Sequence, residues 1–109
     1  MLNEIAAAAK VEIEIEESLL PVRPEVAGAC DMLGFDPLYV PNEGRLIIFC
    51  AEESAAALVE RLRTDPLGAG AVRIGSVKKG APGRVVLRTR IGGGRIVAAP
   101  YGEQLPRIC

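Results

Sequence analysis

Cysteines are the strongest nucleophiles in the sequence, and three of them stand at widely separated positions. The 109-residue chain contains Cys30, Cys50 and Cys109 and has no histidine. This pattern matches neither an even-numbered disulfide framework nor the paired cysteines of a zinc site, so it indicates free thiols and no metal site. Histidine is the commonest general base and metal ligand, and its absence excludes most familiar hydrolase sites.

Cys109 differs from the other two cysteines because it is the last residue and has no periodic apolar neighbours. We therefore expect it to be exposed. An exposed thiol is open to oxidation and disulfide exchange, so its presence asks for a reason. Prenylation is excluded because the cysteine itself ends the chain. Position alone leaves two interpretations open, a functional thiol and an incidental one.

Two turns carry weaker candidates. Glu43 lies in the turn Asn42-Glu43-Gly44, where a carboxylate would be well placed for function, although turn formation alone also explains the sequence. Glu43 is therefore a secondary candidate. The turn Gly92-Gly93-Gly94-Arg95 could bind an anion through its amides, but it lacks the Lys-Ser/Thr ending of a phosphate loop and is typical of a hairpin. We predict no cofactor-binding residue in this sequence.

Composition and charge limit the classes of function. Half of the residues are hydrophobic and a quarter are charged, which is typical of a globular chain, and the length predicts one domain. The net charge of −1 offers no excess of cations for a nucleic-acid backbone. The apolar stretches are shorter than the roughly 20 residues of a membrane span, and no secretory signal is visible, so we expect a cytoplasmic protein.

The N-terminal elements follow from periodicity. Strong helix formers predict a helix over residues 2–10. Apolar and acidic residues then alternate over residues 11–16, which predicts a strand with its glutamates toward solvent. The residues expected on the buried face of this strand are Val11, Ile13 and Ile15.

A second helix is predicted from Pro24 to about Leu33, with Gly34 as its cap. One apolar face of this helix would place Cys30 in the core, together with Val26, Ala29 and Leu33. Residues 46–50 form a continuous apolar run that predicts a central strand covered on both faces, so Cys50 is expected to be buried too.

The rest of the chain completes the predicted fold. A third amphipathic helix is expected over residues 52–63, with an apolar stripe of Ala55, Leu58, Val59 and Leu62. Strands are expected over residues 71–77, 84–91 and 95–99, the last two as a hairpin. This order predicts an α+β fold, a ferredoxin-like α/β sandwich with helices packed on a mainly antiparallel sheet and a flexible C-terminal tail.

The tail, Gly-Glu-Gln-Leu-Pro-Arg-Ile-Cys at 102–109, closely resembles the terminus of the HypE family of nickel–iron hydrogenase maturation factors. Further matching strings occur in the family's order, at residues 2–6, 33–39, 42–44, 74–75 and 89–95. The resemblance covers essentially the whole chain, but only as the C-terminal domain of that family. It implies an aminoimidazole ribonucleotide (AIR) synthase-related C-terminal domain over 1–101 and a mobile tail over 102–109, with the N-terminal ATP-binding domain absent.

The resemblance implies a function for the terminal thiol. In the HypE family, the carbamoyltransferase HypF delivers a carbamoyl group to the sulfur of the last cysteine, here Cys109. Dehydration with ATP yields a thiocyanate, and the cyanide passes to iron on the HypC–HypD scaffold. ATP and magnesium belong to the N-terminal domain, which also forms a homodimer, so we expect this chain alone to be inactive and to hold no cofactor.

The residues before Cys109 are implied to dock the tail on its partners. Leu105 and Ile108 are expected to be small apolar anchors, and Pro106 to stiffen the segment. Arg107 suits either an anion on a partner or solvent. The alternative is a non-catalytic α+β domain with an incidental terminal cysteine, acting in regulation, small-ligand binding or partner docking.

Overall fold

The computed structural model describes residues 1–40 and 43–98. These residues form three helices, α1 (Leu2–Ala9), α2 (Pro24–Leu33) and α3 (Ala55–Arg63), and four strands, β1 (Glu12–Glu16), β2 (Gly75–Lys78), β3 (Val85–Arg88) and β4 (Gly94–Ile96). Single 3-10 turns lie at Glu17–Leu19, Pro37–Tyr39, Glu52–Ser54 and Pro66–Gly68. The predicted flexible tail lies outside the described residues.

One mixed sheet organises the fold, with strand order β2-β1-β3-β4. The central strand β1 is antiparallel to β2 and parallel to β3, and β3 pairs with β4 as an antiparallel hairpin. Two of the three pairings are thus antiparallel, which confirms the predicted α+β class and the hairpin. Each strand is shorter than its predicted span, and residues 71–74, predicted as strand, precede β2 without belonging to it.

The core lies between α1 and one face of the sheet. Alternation along β1 turns Ile13 and Ile15 to this face, and the register places them beside Val85 and Leu87 of β3. These four side chains are at most 3% exposed. Ala6 of α1 and Val97 complete the buried cluster, with Leu2, Ile5, Val11, Leu20, Leu38, Tyr39 and Ile74 packed around it.

Helix boundaries follow the sequence signals. Pro24 occupies the first turn of α2, where its missing N–H costs nothing, and Gly34 closes the helix in the left-handed region at φ 72°. In α3, the four residues of the predicted stripe are its less exposed ones. The predicted helix over 52–63 divides into the 3-10 turn Glu52–Ser54 and α3.

The region from α2 to α3 departs from the prediction. Residues 46–50 form no strand, and all five are exposed, Leu46 at 89%. The prediction that Cys50 is buried is wrong, since its thiol is free and exposed. On α2, Cys30 is buried as predicted, but Val26 and Leu33 are 40% and 66% exposed. An apolar pattern shows what a segment could bury, but burial also requires a partner surface.

Glu12 also contradicts the expectation that the β1 glutamates face solvent, because it is only 4% exposed. Its carboxylate accepts hydrogen bonds from the Arg84 guanidinium at 2.8 Å and from the amide of Ala81 at 3.0 Å. Gly80 approaches this carboxylate so closely that a Cβ would clash with it. The turn between β2 and β3 therefore closes over Glu12 and satisfies its charge.

No helix among the described residues combines the length and the apolar character needed to cross a membrane.

Candidate functional site

Most of the predicted site residues lie in the tail. Cys109 and the docking candidates Leu105, Pro106, Arg107 and Ile108 are outside the described residues. Ala98 is the last described position, so the structure shows the backbone that leads into the tail. Glu43, the secondary candidate, is exposed at the start of the second described range.

Two side chains bind the backbone where the chain leaves β4. The Asn3 side-chain amide donates to the Val97 carbonyl at 2.7 Å, and the Tyr39 hydroxyl donates to the Ala98 carbonyl at 2.6 Å. Val97 itself is 7% exposed, and its amide donates to the Val85 carbonyl at 2.8 Å. The backbone that leads into the tail is thus bonded to α1, to β3 and to the 3-10 turn Pro37–Tyr39.

Asp36 adds a charged contact to the same place. One carboxylate oxygen accepts from the Leu38 amide at 3.0 Å and so caps the 3-10 turn, and the other pairs with the Arg95 guanidinium of β4 at 2.7 Å. A single side chain therefore ties the turn that carries Tyr39 to the strand that leads to the tail. We call Asn3, Asp36, Tyr39 and Arg95 the exit cluster.

Two glutamates of β1, Glu14 and Glu12, form ion pairs that stabilise the sheet. Glu14 pairs with Lys78 at 2.8 Å and with Arg88 at 3.3 Å, one cation from each neighbouring strand. Hydrogen bonds from Lys78 and Arg88 lower the pKa of Glu14. The Arg84 guanidinium and then the Ala81 amide lower the pKa of Glu12 in the same way. These carboxylates are held ionised by their partners, so they hold the three strands together and are poor proton acceptors.

The glycine turn at 92–94 is a hairpin turn, as the sequence favoured. The Gly92 amide donates to the Thr89 carbonyl, and the Gly93 carbonyl accepts from both the amide and the hydroxyl of Thr89. Gly92 has φ 91°, a conformation that favours glycine. These hydrogen bonds close the turn as the connection between β3 and β4.

The described thiols and carboxylates do not converge. Within residues 1–40 and 43–98, no group of three or more Cys, Asp or Glu side chains is arranged to hold a metal ion. Cys30 is buried on α2, and Cys50 is exposed in the segment between α2 and α3. Neither cysteine is joined to an activating group by a hydrogen bond among the described residues.

Sequence reasoning missed the exit cluster. Asp36 and Tyr39 belong to one string that resembles the HypE family, and Asn3 and Arg95 lie in two others. The contacts join positions 59 and 94 residues apart. No periodicity reports such a distant pairing, so the only available signal was the presence of a polar residue in an otherwise apolar helix or turn.

Comparison with known proteins finds relatives that match nearly the whole chain. The model of the family "AIR synthase related protein, C-terminal domain" matches residues 1–88. The chain is 53% identical over 108 residues to carbamoyl dehydratase HypE of Rhodobacter capsulatus, covering 99% of this chain and 32% of that protein. The similarity confirms the resemblance to HypE.

Solved structures agree with this placement. A crystal structure of hydrogenase maturation protein HypE in complex with ATP superposes with a TM-score of 0.88 at 45% identity, covering 99% of this chain and 33% of that one. A HypE–HypF complex superposes with a TM-score of 0.84 at 33% identity, covering 91% of this chain and 32% of the other. The chain spans about a third of the length of the relatives that it matches. By the extent of the family match and the agreement in fold, the chain belongs to the AIR synthase related family, as a C-terminal domain of it.

Proposed function

We propose that this chain is the C-terminal part of a carbamoyl dehydratase of the HypE type, and that Cys109 carries the reacting group during hydrogenase maturation. The observation that carries the proposal is the 53% identity to a carbamoyl dehydratase over 99% of the chain, which includes nearly all of the tail. The buried Cys30 is unsuitable as a carrier because its sulfur lies in the protein. Cys50 does not lie on a terminal segment that could carry its sulfur from one site to another, so it serves as the control.

The proposed reaction begins when the Cys109 sulfur bonds to the carbamoyl carbon of the donor, while the bond between that carbon and the donor's leaving group breaks. The leaving group keeps the electron pair of the broken bond, and the thiol proton is released to a base or to solvent. ATP then phosphorylates the carboxamide oxygen, and loss of phosphate and of the two nitrogen protons leaves a thiocyanate, with ADP as the other product. Sulfur suits both ends of this sequence, because a thiolate is a good nucleophile and also a good leaving group when cyanide departs.

The tail length supports a carrier role. Cys109 is the eleventh residue after Ala98, and eleven residues at full extension span at most about 36 to 40 Å. One sulfur could therefore serve a carbamoyl donor, a nucleotide site and an iron acceptor that lie on different domains. The nucleotide site belongs in this proposal to the rest of the polypeptide, since the glycine turn of this chain lacks the Lys-Ser/Thr ending of a phosphate loop.

Partners and location are part of the same proposal. One of the structural relatives is a HypE–HypF complex, which supports a HypF-type carbamoyltransferase as the donor. A HypC–HypD scaffold as the acceptor and a homodimer formed through the N-terminal domain remain predictions from the resemblance. A cytoplasmic location remains a prediction from the short apolar stretches and the lack of a visible secretory signal. Leu105, Pro106, Arg107 and Ile108 are proposed to dock the tail on these partners.

The proposal is tested by mass spectrometry of the full-length protein incubated with the carbamoyltransferase, carbamoyl phosphate and ATP. Cys109 is expected to gain about 43 Da on carbamoylation and to retain about 25 Da after dehydration. Cys109→Ser should show neither increment, whereas Cys50→Ser should show both. Modification of another residue with Cys109 unchanged would refute the carrier role.

Glu43 is tested in the same assay. Its carboxylate is exposed on the connection that follows the turn with Tyr39, and dehydration requires a group that accepts protons from nitrogen. If Glu43 takes part, Glu43→Gln should accept the carbamoyl group but dehydrate it more slowly. Equal rates for the variant and the wild type would exclude Glu43 from the site.

A second role, docking against the remainder of the polypeptide, is favoured by the exposed apolar surface of the region from α2 to α3. An open groove of about 320 Å³ is lined by residues of α2 with Phe35 and Val40. Another, of about 450 Å³, lies between α3 and the segment before β2. The apolar run 46–50 is exposed as well. Such surfaces mark interfaces, and the relatives are about three times as long as this chain.

Paired serine substitutions test the docking role. Ile47→Ser with Phe49→Ser should cost this chain less stability per residue than truncating a core side chain, since Ile47 is 40% and Phe49 44% exposed. In the full-length protein, the same pair should make the domain boundary sensitive to limited proteolysis. Leu67→Ser, at a 99% exposed position outside this surface, is the control. Equal proteolysis of all three proteins would argue against docking.

A further inference from the structure

Three long-range contacts of the exit cluster lie at the chain segment immediately before the tail, two of them to its backbone and one to the Arg95 side chain. Asn3 binds Val97, Tyr39 binds Ala98, and Arg95 of β4 binds Asp36. Backbone pairing with β3 ends at Ile96, and only the Val97 amide continues the ladder. Side chains therefore bind the backbone at the point where its pairing in the sheet ends.

Each member of the cluster is itself held. The Tyr39 ring packs on the buried cluster, its amide donates to the Asp36 carbonyl at 2.9 Å, and its hydroxyl is directed at Ala98. Asp36 is fixed by the Leu38 amide on one oxygen and by Arg95 on the other. A group whose own position is set by packing and by a second hydrogen bond can set the position of its partner.

We propose that Asn3 and Tyr39, supported by the Asp36–Arg95 pair, are positioning residues that set the direction in which the tail leaves the domain and so determine where the Cys109 sulfur can reach. The effect on reaction at Cys109 rests on the proposed function. The direction in which the tail leaves the domain does not depend on it. A tail that pivots at a fixed point searches a smaller volume than one whose root is loose, and its sulfur meets each partner site more often in the reactive geometry.

The geometric part is tested by the distance between two spin labels in the full-length protein. One label is placed on Cys109 and the other on Ser76→Cys in β2, with Cys30→Ala and Cys50→Ser removing the other thiols. The variant Tyr39→Phe removes the hydroxyl and keeps the ring, and Asn3→Leu removes the amide at similar volume. Both are expected to broaden the distance distribution, and the double variant more than either.

The control removes a comparable bond elsewhere. The Thr64 hydroxyl donates to the Arg61 carbonyl at 2.6 Å, the same length as the Tyr39 contact, at the exposed end of α3. Thr64→Val should leave the distance distribution unchanged. A distribution in Tyr39→Phe and Asn3→Leu identical to that of the control overturns the inference, whatever the chemistry of Cys109.

The chemical part is tested by single-turnover rates of carbamoylation and dehydration at Cys109. Loss of one such hydrogen bond should lower each rate about two- to tenfold, by the usual net worth of a hydrogen bond. Arg95→Lys should keep more of the rate than Arg95→Met, because only the lysine can still pair with Asp36. A purely structural role would lower the folded fraction and leave the rate per folded molecule unchanged, which would overturn the inference.

The two parts separate this inference from the proposed function. A broadened distribution in a protein whose wild type is never carbamoylated at Cys109 refutes the carrier role and leaves the anchoring in place. If Cys109 of the wild type is carbamoylated but the distances in the variants are unaltered, the carrier role stands and the anchoring is refuted. Broadened distances with unaltered rates overturn the claim that the cluster positions the sulfur for reaction.

Discussion

The layer of α1 and the sheet differs from the region of α2, residues 46–50 and α3 in how much of its apolar pattern is buried. The first contributes Ala6, Ile13, Ile15, Val85, Leu87 and Val97 to the core, and the second contributes only Cys30 to the buried residues among those that the structure describes. Both regions carry apolar patterns in the sequence. The difference teaches that such a pattern reports a need for burial, and that the partner surface can lie on another part of the polypeptide.

The largest test of this comparison truncates one leucine in each region. Leu87 is 1% exposed in β3, whereas Leu46 is 89% exposed. Leu87→Ala should lower the free energy of unfolding by about 2 to 5 kcal/mol, because it leaves a cavity. Leu46→Ala should change it by less than about 0.5 kcal/mol. Urea denaturation followed by circular dichroism measures both, and similar losses in the two variants would break the comparison.

A second pair adds one methyl group to a glycine in each region. A Cβ on Gly75 in β2 would collide with the Glu14 carbonyl oxygen and the Ile15 Cα across the strand pair, whereas one on Gly28 in α2 would meet nothing within 4 Å. Gly75→Ala should therefore lower the free energy of unfolding by about 1 to 3 kcal/mol. Gly28→Ala should raise it by about 0.5 to 1 kcal/mol through the better helix propensity of alanine. Equal signs would contradict the contrast.

The pH dependence of stability should come mainly from the sheet. The folded pKa of Glu12 lies below its ordinary value of 4.5, chiefly through the Arg84 hydrogen bond. A lowered folded pKa contributes stability above the unfolded value, and this contribution is lost as the pH falls below about 4.5. Glu12→Gln should accordingly reduce the loss of stability between pH 7 and pH 3.

The matched control for Glu12→Gln is Glu60→Gln on α3, an exposed carboxylate in the other region. Denaturation midpoints at pH 7 and pH 3 should differ by the same amount in this variant as in the wild type. A wild-type-like pH dependence in Glu12→Gln would show that the buried ion pair does not contribute to acid sensitivity.

The smallest effect on stability and a direct readout of burial come from thiol labelling in a Cys109→Ser background. Cys50 is exposed and Cys30 is 5% exposed, so a maleimide should label Cys50 in the native chain and Cys30 only after unfolding. In the full-length protein, labelling of Cys50 should slow if the remainder of the polypeptide covers residues 46–50. Prompt labelling of Cys30 in the native chain would refute its burial.

The parts of the fold that sequence reasoning predicted are those governed by local signals. Period-two alternation placed Ile13 and Ile15 correctly, and Pro24 with Gly34 marked both ends of α2. The error at Cys50 had the opposite origin, because a continuous apolar run says nothing about which surface will cover it. Glu12 was misplaced since its burial depends on Arg84, 72 positions away.

The candidate site was predicted only in part. Cys109 was singled out by its position and by the resemblance of the tail to a known terminus, and its carrier role stays a prediction. The exit cluster was not predicted, because the pairing of Asn3 with Val97 and of Tyr39 with Ala98 exists only once the sheet has brought distant segments together. Long-range polar contacts leave no periodic trace in a sequence.

The parallel pairing of β1 with β3 has a consequence for how the molecule assembles. Residues near position 13 cannot complete the centre of the sheet until those near position 85 are available, so closing the core requires ordering a loop that contains most of the chain. Such non-local pairing makes folding slow compared with a helical bundle of this length. During synthesis, β1 and the apolar run 46–50 therefore remain exposed until β3 has been made. Aggregation competes with folding during this interval.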